Sequence, residues 1–224
     1  MRMRITLISF ISILLLSSCG KSAEELLMEA EKYDEIGQYE RGIEILNLAI
    51  EKEPEYLGAY INRGAYKSSL KRFDNAVSDY QKVLDLDPEN TLATYNIGNS
   101  YRLSGNLKKA KEYYDLAFKT KGGEMITIDY KPNSFIEKSH YDVPSAEIFY
   151  HRGLVYYDLL DYEKAYSDFS NSLEQNYEPA DNYYMIGSCL LMTGNTELAC
   201  EKYKKAMELG NEMAKSEFNK RCGK

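Results

Sequence analysis

The chain of 224 residues has no tryptophan and only two histidines, His140 and His151. It has no Cys-x-x-Cys or His-x-x-x-His ligand spacing, no GxSxG turn and no phosphate-cradling glycine loop. These absences leave few raw materials for catalysis, so no enzyme activity, cofactor or metal site is expected. The two histidines read as polar surface residues, and acidic pairs such as Glu24-Glu25 and Asp34-Glu35 as solvated helix faces. Positive charge is also short: 28 Lys and Arg against 35 Asp and Glu give a net charge of −7, which argues against a nucleic-acid partner. Phenylalanine is sparse at 7 where tyrosine reaches 21, a balance suited to half-buried helix surfaces with a wet polar tip. With 44% hydrophobic and 28% charged residues the chain has the make-up of a folded protein.

The N-terminus reads as an address. Arg2 and Arg4 precede an apolar stretch over 5–16 that no acidic residue interrupts. It falls short of the roughly 20 apolar residues a membrane span needs, but it fits the core of a signal peptide over 1–18. Leu16-Ser17-Ser18-Cys19 then resembles the lipobox of bacterial lipoproteins, the alternative being an ordinary secretory signal with an incidental cysteine. The resemblance implies cleavage before Cys19, a diacylglyceryl group on its thiol, and attachment to the lipid bilayer through a short tether over 19–22. Gly20, where an inner-membrane retention signal would carry Asp, implies the outer membrane of a bacterial envelope.

The body repeats one unit. Gly64 and Gly98 lie 34 residues apart, as do Gly153 and Gly187, Pro54 and Pro88, Ala76 and Ala110, Tyr80 and Tyr114, and Ala165 and Ala199. On these residues the chain resembles a tetratricopeptide-repeat (TPR) protein, with units at 23–56, 57–90, 91–124, 146–179 and 180–213. The resemblance implies an all-α, right-handed α-solenoid of helix-turn-helix TPR units, closed by a C-terminal cap helix over 211–222. Small residues at the eighth position let paired helices approach closely. Large ones at the twenty-fourth (Leu46, Tyr80, Tyr114, Phe169, Tyr203) are expected to fill the gap between repeats. Gly37, Gly105 and Gly194 supply the tight turns, and Ser22 with Glu25 reads as a capping box.

The spacing from Gly98 to Gly153 places extra residues at 125–145, where Met125-Thr127-Asp129 alternates against Ile126-Ile128-Tyr130 with a strand period. An exposed loop and a short hairpin are equally open there. Beyond Cys19, Cys189 reads as a buried free thiol. Cys200 and Cys222 form a candidate disulfide between the fifth unit and the cap, their redox state being left open by sequence.

In TPR proteins the first helices line a concave groove, and this resemblance carries the site over to Tyr95, Asn96, Asn99, Arg102, Tyr150, His151, Tyr157 and Tyr184. It implies a membrane-anchored scaffold or adaptor holding a protein or extended peptide partner, with asparagine bonding its backbone and tyrosine giving broad contact. The alternative is glycan or peptidoglycan binding through the same tyrosines. The carboxylate clamp that some TPR domains use on chaperone tails is not matched, because Leu27, Glu31, Leu92 and Glu147 stand where it needs Lys or Asn.

Overall fold

The computed structural model describes residues 20–120 and 142–223. The signal segment, Cys19, His140 and most of the 125–145 insertion therefore lie outside the described residues. Eleven α-helices are present among the described residues. They divide into two compact units, Met1–Pro88 and Glu89–Lys224.

The first unit holds α1 (Ala23–Asp34), α2 (Tyr39–Lys52), α3 (Leu57–Ser69) and α4 (Phe73–Leu86). Ser22 and Glu25 cap α1 reciprocally: the Ser22 Oγ accepts from the Glu25 N–H at 3.1 Å, and the Glu25 carboxylate from the Ser22 N–H at 2.7 Å. Its core gathers Leu26, Ala30, Ile45, Leu46, Ala49, Ala59 and Tyr66. The helices α2 and α4 stop just short of Pro54 and Pro88, where the missing N–H ends regular bonding.

The second unit holds α5 (Thr91–Leu103), α6 (Leu107–Ala117), α7 (Ser145–Asp158), α8 (Tyr162–Glu174), α9 (Pro179–Met192), α10 (Thr196–Glu208) and α11 (Glu212–Arg221). Consecutive helices pair throughout, and α11 closes on α10. On either side of residues 121–141 the packing is continuous. Phe118 meets Phe149 at 4.6 Å between ring centroids, and Asp115 on α6 accepts from Arg152 on α7 at 2.8 Å. The fold is an all-α solenoid of helix-turn-helix units with a terminal helix.

The recurring glycines explain the pairing. A Cβ at Gly98, Gly153 or Gly187 would lie within 3.0 Å of the ring of Tyr114, Phe169 or Tyr203, and Gly64 stands in the same relation to Tyr80. These rings thus sit on the first helix of their own unit, where sequence placed them between repeats. The turns share a second device. Gly37, Lys71, Gly105, Leu160 and Gly194 occupy equivalent positions, and all have φ between 58° and 85°. That left-handed geometry lets the chain reverse between paired helices, and glycine adopts it without the Cβ clash that lysine and leucine accept.

A polar device was missed from sequence. The Arg152 fork donates to both carboxylate oxygens of Asp168 at 2.8 Å, and its third arm reaches Asp115. Arg63 holds Asp79 in the same way at 3.0 and 2.7 Å, its third arm on Asn47. Both pairs are sixteen residues apart in sequence, and that recurrence was the available signal.

Candidate functional site

All eight residues carried over to the groove belong to the second unit, on α5, α7 and α9. These helices start differently but firmly. The Asn90 side chain accepts from the Ala93 N–H at 2.9 Å ahead of α5, while Pro144 and Pro179 open α7 and α9.

Tyr95 is central and closed. Only 4% exposed, it packs its ring 5.8 Å from Tyr114 and 5.7 Å from His151, and its hydroxyl donates to Glu147 on α7 at 2.7 Å. Burial raises its pKa far beyond the phenolic range, so it remains a neutral donor. Sequence read it as open groove wall; it is a strut between two first helices. Asn99 is engaged as well, its Oδ1 accepting from the Tyr114 hydroxyl at 2.6 Å.

The accessible rings are Tyr150, Tyr157 and Tyr184, each half-buried. Tyr150 leans on Phe169 at 5.8 Å and Tyr177 at 5.7 Å, Tyr157 on Tyr162 at 5.3 Å, and Tyr184 on Tyr203 at 5.8 Å. Burial, with Asp181 and Glu178 adding to it, lifts the Tyr150 hydroxyl to about 12. Each ring is therefore held by aromatic neighbours while part of it stays accessible. Asn96 is half-buried beside them.

His151 departs from its reading as a surface residue. It lies between the Tyr95 and Tyr150 rings, and its Nδ1 is buried with no hydrogen-bond partner. Burial, reinforced by the nearby Arg102 charge, pushes its pKa down to about 4, so the imidazole is neutral near pH 7. Arg102, half-buried in the last turn of α5, has a buried Nε without an acceptor and forms no ion pair among the described residues. Burial raises the Tyr114 hydroxyl to about 12, against the charge and side-chain hydrogen bond of Arg102, so the guanidinium has a neutral neighbour there and no anion.

Cys200 and Cys222 are joined by a disulfide with their Cα atoms 5.7 Å apart, which ties the end of α11 to α10. Cys189 is buried and free, and burial lifts its thiol to about 12, an inert form. Among the described residues no group of three or more His, Cys, Asp or Glu is arranged to hold a metal ion. No helix among them is long and apolar enough to cross a membrane.

Three family models described as tetratricopeptide repeat match residues 58–90, 93–122 and 150–214. Together they span more than half of the chain, which belongs to the tetratricopeptide-repeat proteins. A TPR repeat-containing protein of Methanocaldococcus jannaschii is 22% identical over 198 residues, covering 79% of this chain and 35% of that one. The small glutamine-rich tetratricopeptide repeat-containing protein 2 of Saccharomyces cerevisiae is 33% identical over 92 residues, covering 41% of this chain and 27% of its own length. The chain thus spans about a third or less of these curated relatives. Among solved structures, MamA of Desulfovibrio magneticus RS-1 superposes with a TM-score of 0.68 at 18% identity, covering 86% of this chain and 97% of that one. YrrB, a TPR protein with an unusual peptide-binding site, gives 0.64 at 19% identity, covering 93% and 97%. These likenesses are of fold. As a class, TPR arrays serve as protein–protein interaction scaffolds.

Proposed function

We propose that the protein is a lipid-anchored scaffold that holds an extended segment of a partner protein along the first helices of its second unit. The observation that carries the reading is the state of that face. Tyr150, Tyr157 and Tyr184 are each held by a neighbouring ring yet remain part-exposed, Asn96 is half-buried on the same helix as Arg102, and Arg102 keeps a buried Nε without an acceptor. Rigid, amphipathic rings give contact area at low entropic cost, and polar groups already held in place lose little more on binding. The fold likeness to YrrB supports a peptide as occupant in kind. Glycan stacking has less to rest on, because the central ring of the row, Tyr95, is 4% exposed.

Anchoring is proposed through an acylated Cys19 in a bacterial outer membrane, on the strength of Leu16-Ser17-Ser18-Cys19 after a short apolar stretch. Several acyl chains, at about 0.8 kcal/mol per buried methylene, would hold the protein permanently. The Cys19→Ser variant is expected to appear in the soluble fraction or to remain uncleaved, and fatty-acid labelling that leaves Cys19 unmodified in the natural chain would remove the anchor. The groove is tested with a photo-cross-linking residue placed at Asn96, at Tyr184 or at the exposed Tyr166 on α8. Adducts to one protein from Asn96 and Tyr184 but not from Tyr166 are expected; the reverse pattern would move the site off the first helices.

A further inference from the structure

We infer that Arg102 and His151 form a subsite for one carboxylate of the partner segment, an inference that rests on the groove reading above. The second unit contains a direct control. Arg152, on the neighbouring first helix, is saturated by Asp168 and Asp115. Arg102 is also half-buried, in a chain with 35 acidic residues, yet it pairs with none among the described residues. Two carboxylates whose charge is felt at the Tyr114 and Tyr150 hydroxyls are directed elsewhere: Glu147 accepts the Tyr95 hydroxyl at 2.7 Å and Asp181 the Asn211 amide at 2.7 Å. A guanidinium is a planar fork that matches a carboxylate with two parallel hydrogen bonds, so the missing partner is an acid of that shape. Arg102 is not at a position of the chaperone-tail clamp; His151 stands where that clamp carries its arginine, and no lysine contributes.

His151 adds a second element. Tyr95 on α5 and Tyr150 on α7 cover its ring, with Tyr114 on α6 and Glu147 on α7 behind Tyr95, and Arg102 is the cation facing it. Its buried Nδ1 has no partner. A carboxylate on Arg102 offsets the charge that, with burial, keeps the imidazole unprotonated, so occupancy favours proton uptake at His151. Affinity then increases as pH falls from neutrality toward the pKa of the occupied state.

The carboxylate has two sources, a chain terminus or an Asp or Glu side chain, with one chemistry. Random heptapeptide arrays probed with the full chain in detergent separate them when printed in three forms: free C-terminus without acids, amidated with acids, and amidated without acids. The wild-type chain is expected to prefer one acidic form over the neutral one by roughly tenfold to a hundredfold, and Arg102→Gln to lose that preference while keeping its melting temperature. Should Arg102→Gln not fold, Arg102→Lys, which keeps the charge and loses the fork, is expected to lose most of the preference. In a His140→Gln background His151 is the lone imidazole, and its NMR titration is expected to move upward on adding the selected acidic peptide. Equal binding of all three forms by wild type and Arg102→Gln overturns the subsite and leaves the groove intact. No peptide bound in any form overturns the groove reading, and the subsite with it.

Discussion

Arg152 and Arg102 stand on successive first helices of the same unit and do opposite things. Arg152 closes a network: two bonds to the buried Asp168, one to Asp115, and its guanidinium 4.5 Å above the Phe118 ring. Burial acts against its charge, but the bonds from Asp168 and Asp115 outweigh it and its pKa lies above the ordinary arginine value. Arg102 meets the Tyr114 hydroxyl but no anion among the described residues, and its buried Nε has no acceptor. The comparison teaches how to tell a structural cation from an available one in a repeat protein: the structural one finds its anions within the fold.

The strongest test of that contrast is stability. Arg152→Ala leaves Asp168 buried and uncompensated, which costs about 3–5 kcal/mol, whereas Arg102→Gln is expected to cost less than about 1 kcal/mol. Urea denaturation of the two variants settles it, and equal losses would erase the distinction. Next in size is His151. Its pKa of about 4 in the fold lies below the ordinary 6.5, so between these values the unfolded chain binds a proton that the folded chain refuses. Stability therefore falls as pH drops from 6.5 to 4 and His151 contributes no further change below that. Against wild type, His151→Asn should flatten this dependence by about 3 kcal/mol; superimposed stability–pH curves would show that the imidazole is not sealed. The smallest effect concerns the turns. Leu160 holds φ at 62° while 70% exposed, and Leu160→Gly is expected to stabilise by about 1 kcal/mol, read as a higher melting temperature. A lower one would mean that the leucine side chain repays its strain by packing.

The all-α solenoid was legible because each unit writes the same demands at the same spacing: a glycine under a ring, as at Gly98 and Tyr114, and a left-handed turn residue, as at Gly105. Where another residue takes the role, the signal fades, and Lys71 and Leu160 were not recognised as turn residues. The candidate site was legible only as positions on first helices. Spacing does not say whether a tyrosine at a given position is a strut or a wall, since Tyr95 and Tyr184 share a repeat position and differ in burial. That outcome depends on a partner in the next unit: Glu147 draws Tyr95 across to α7. His151 was misjudged for the same reason, its covering rings coming from two helices.

The disulfide at the end of the chain has a mechanical consequence. A pull applied at the C-terminus enters at Cys222 and passes directly to Cys200, 22 residues away in sequence, so α11 and the latter part of α10 carry no load. The oxidised chain hides roughly 70 Å of extensible length, at about 3.3 Å per residue. Reduction would release that length as slack, turning a stiff attachment into a compliant one.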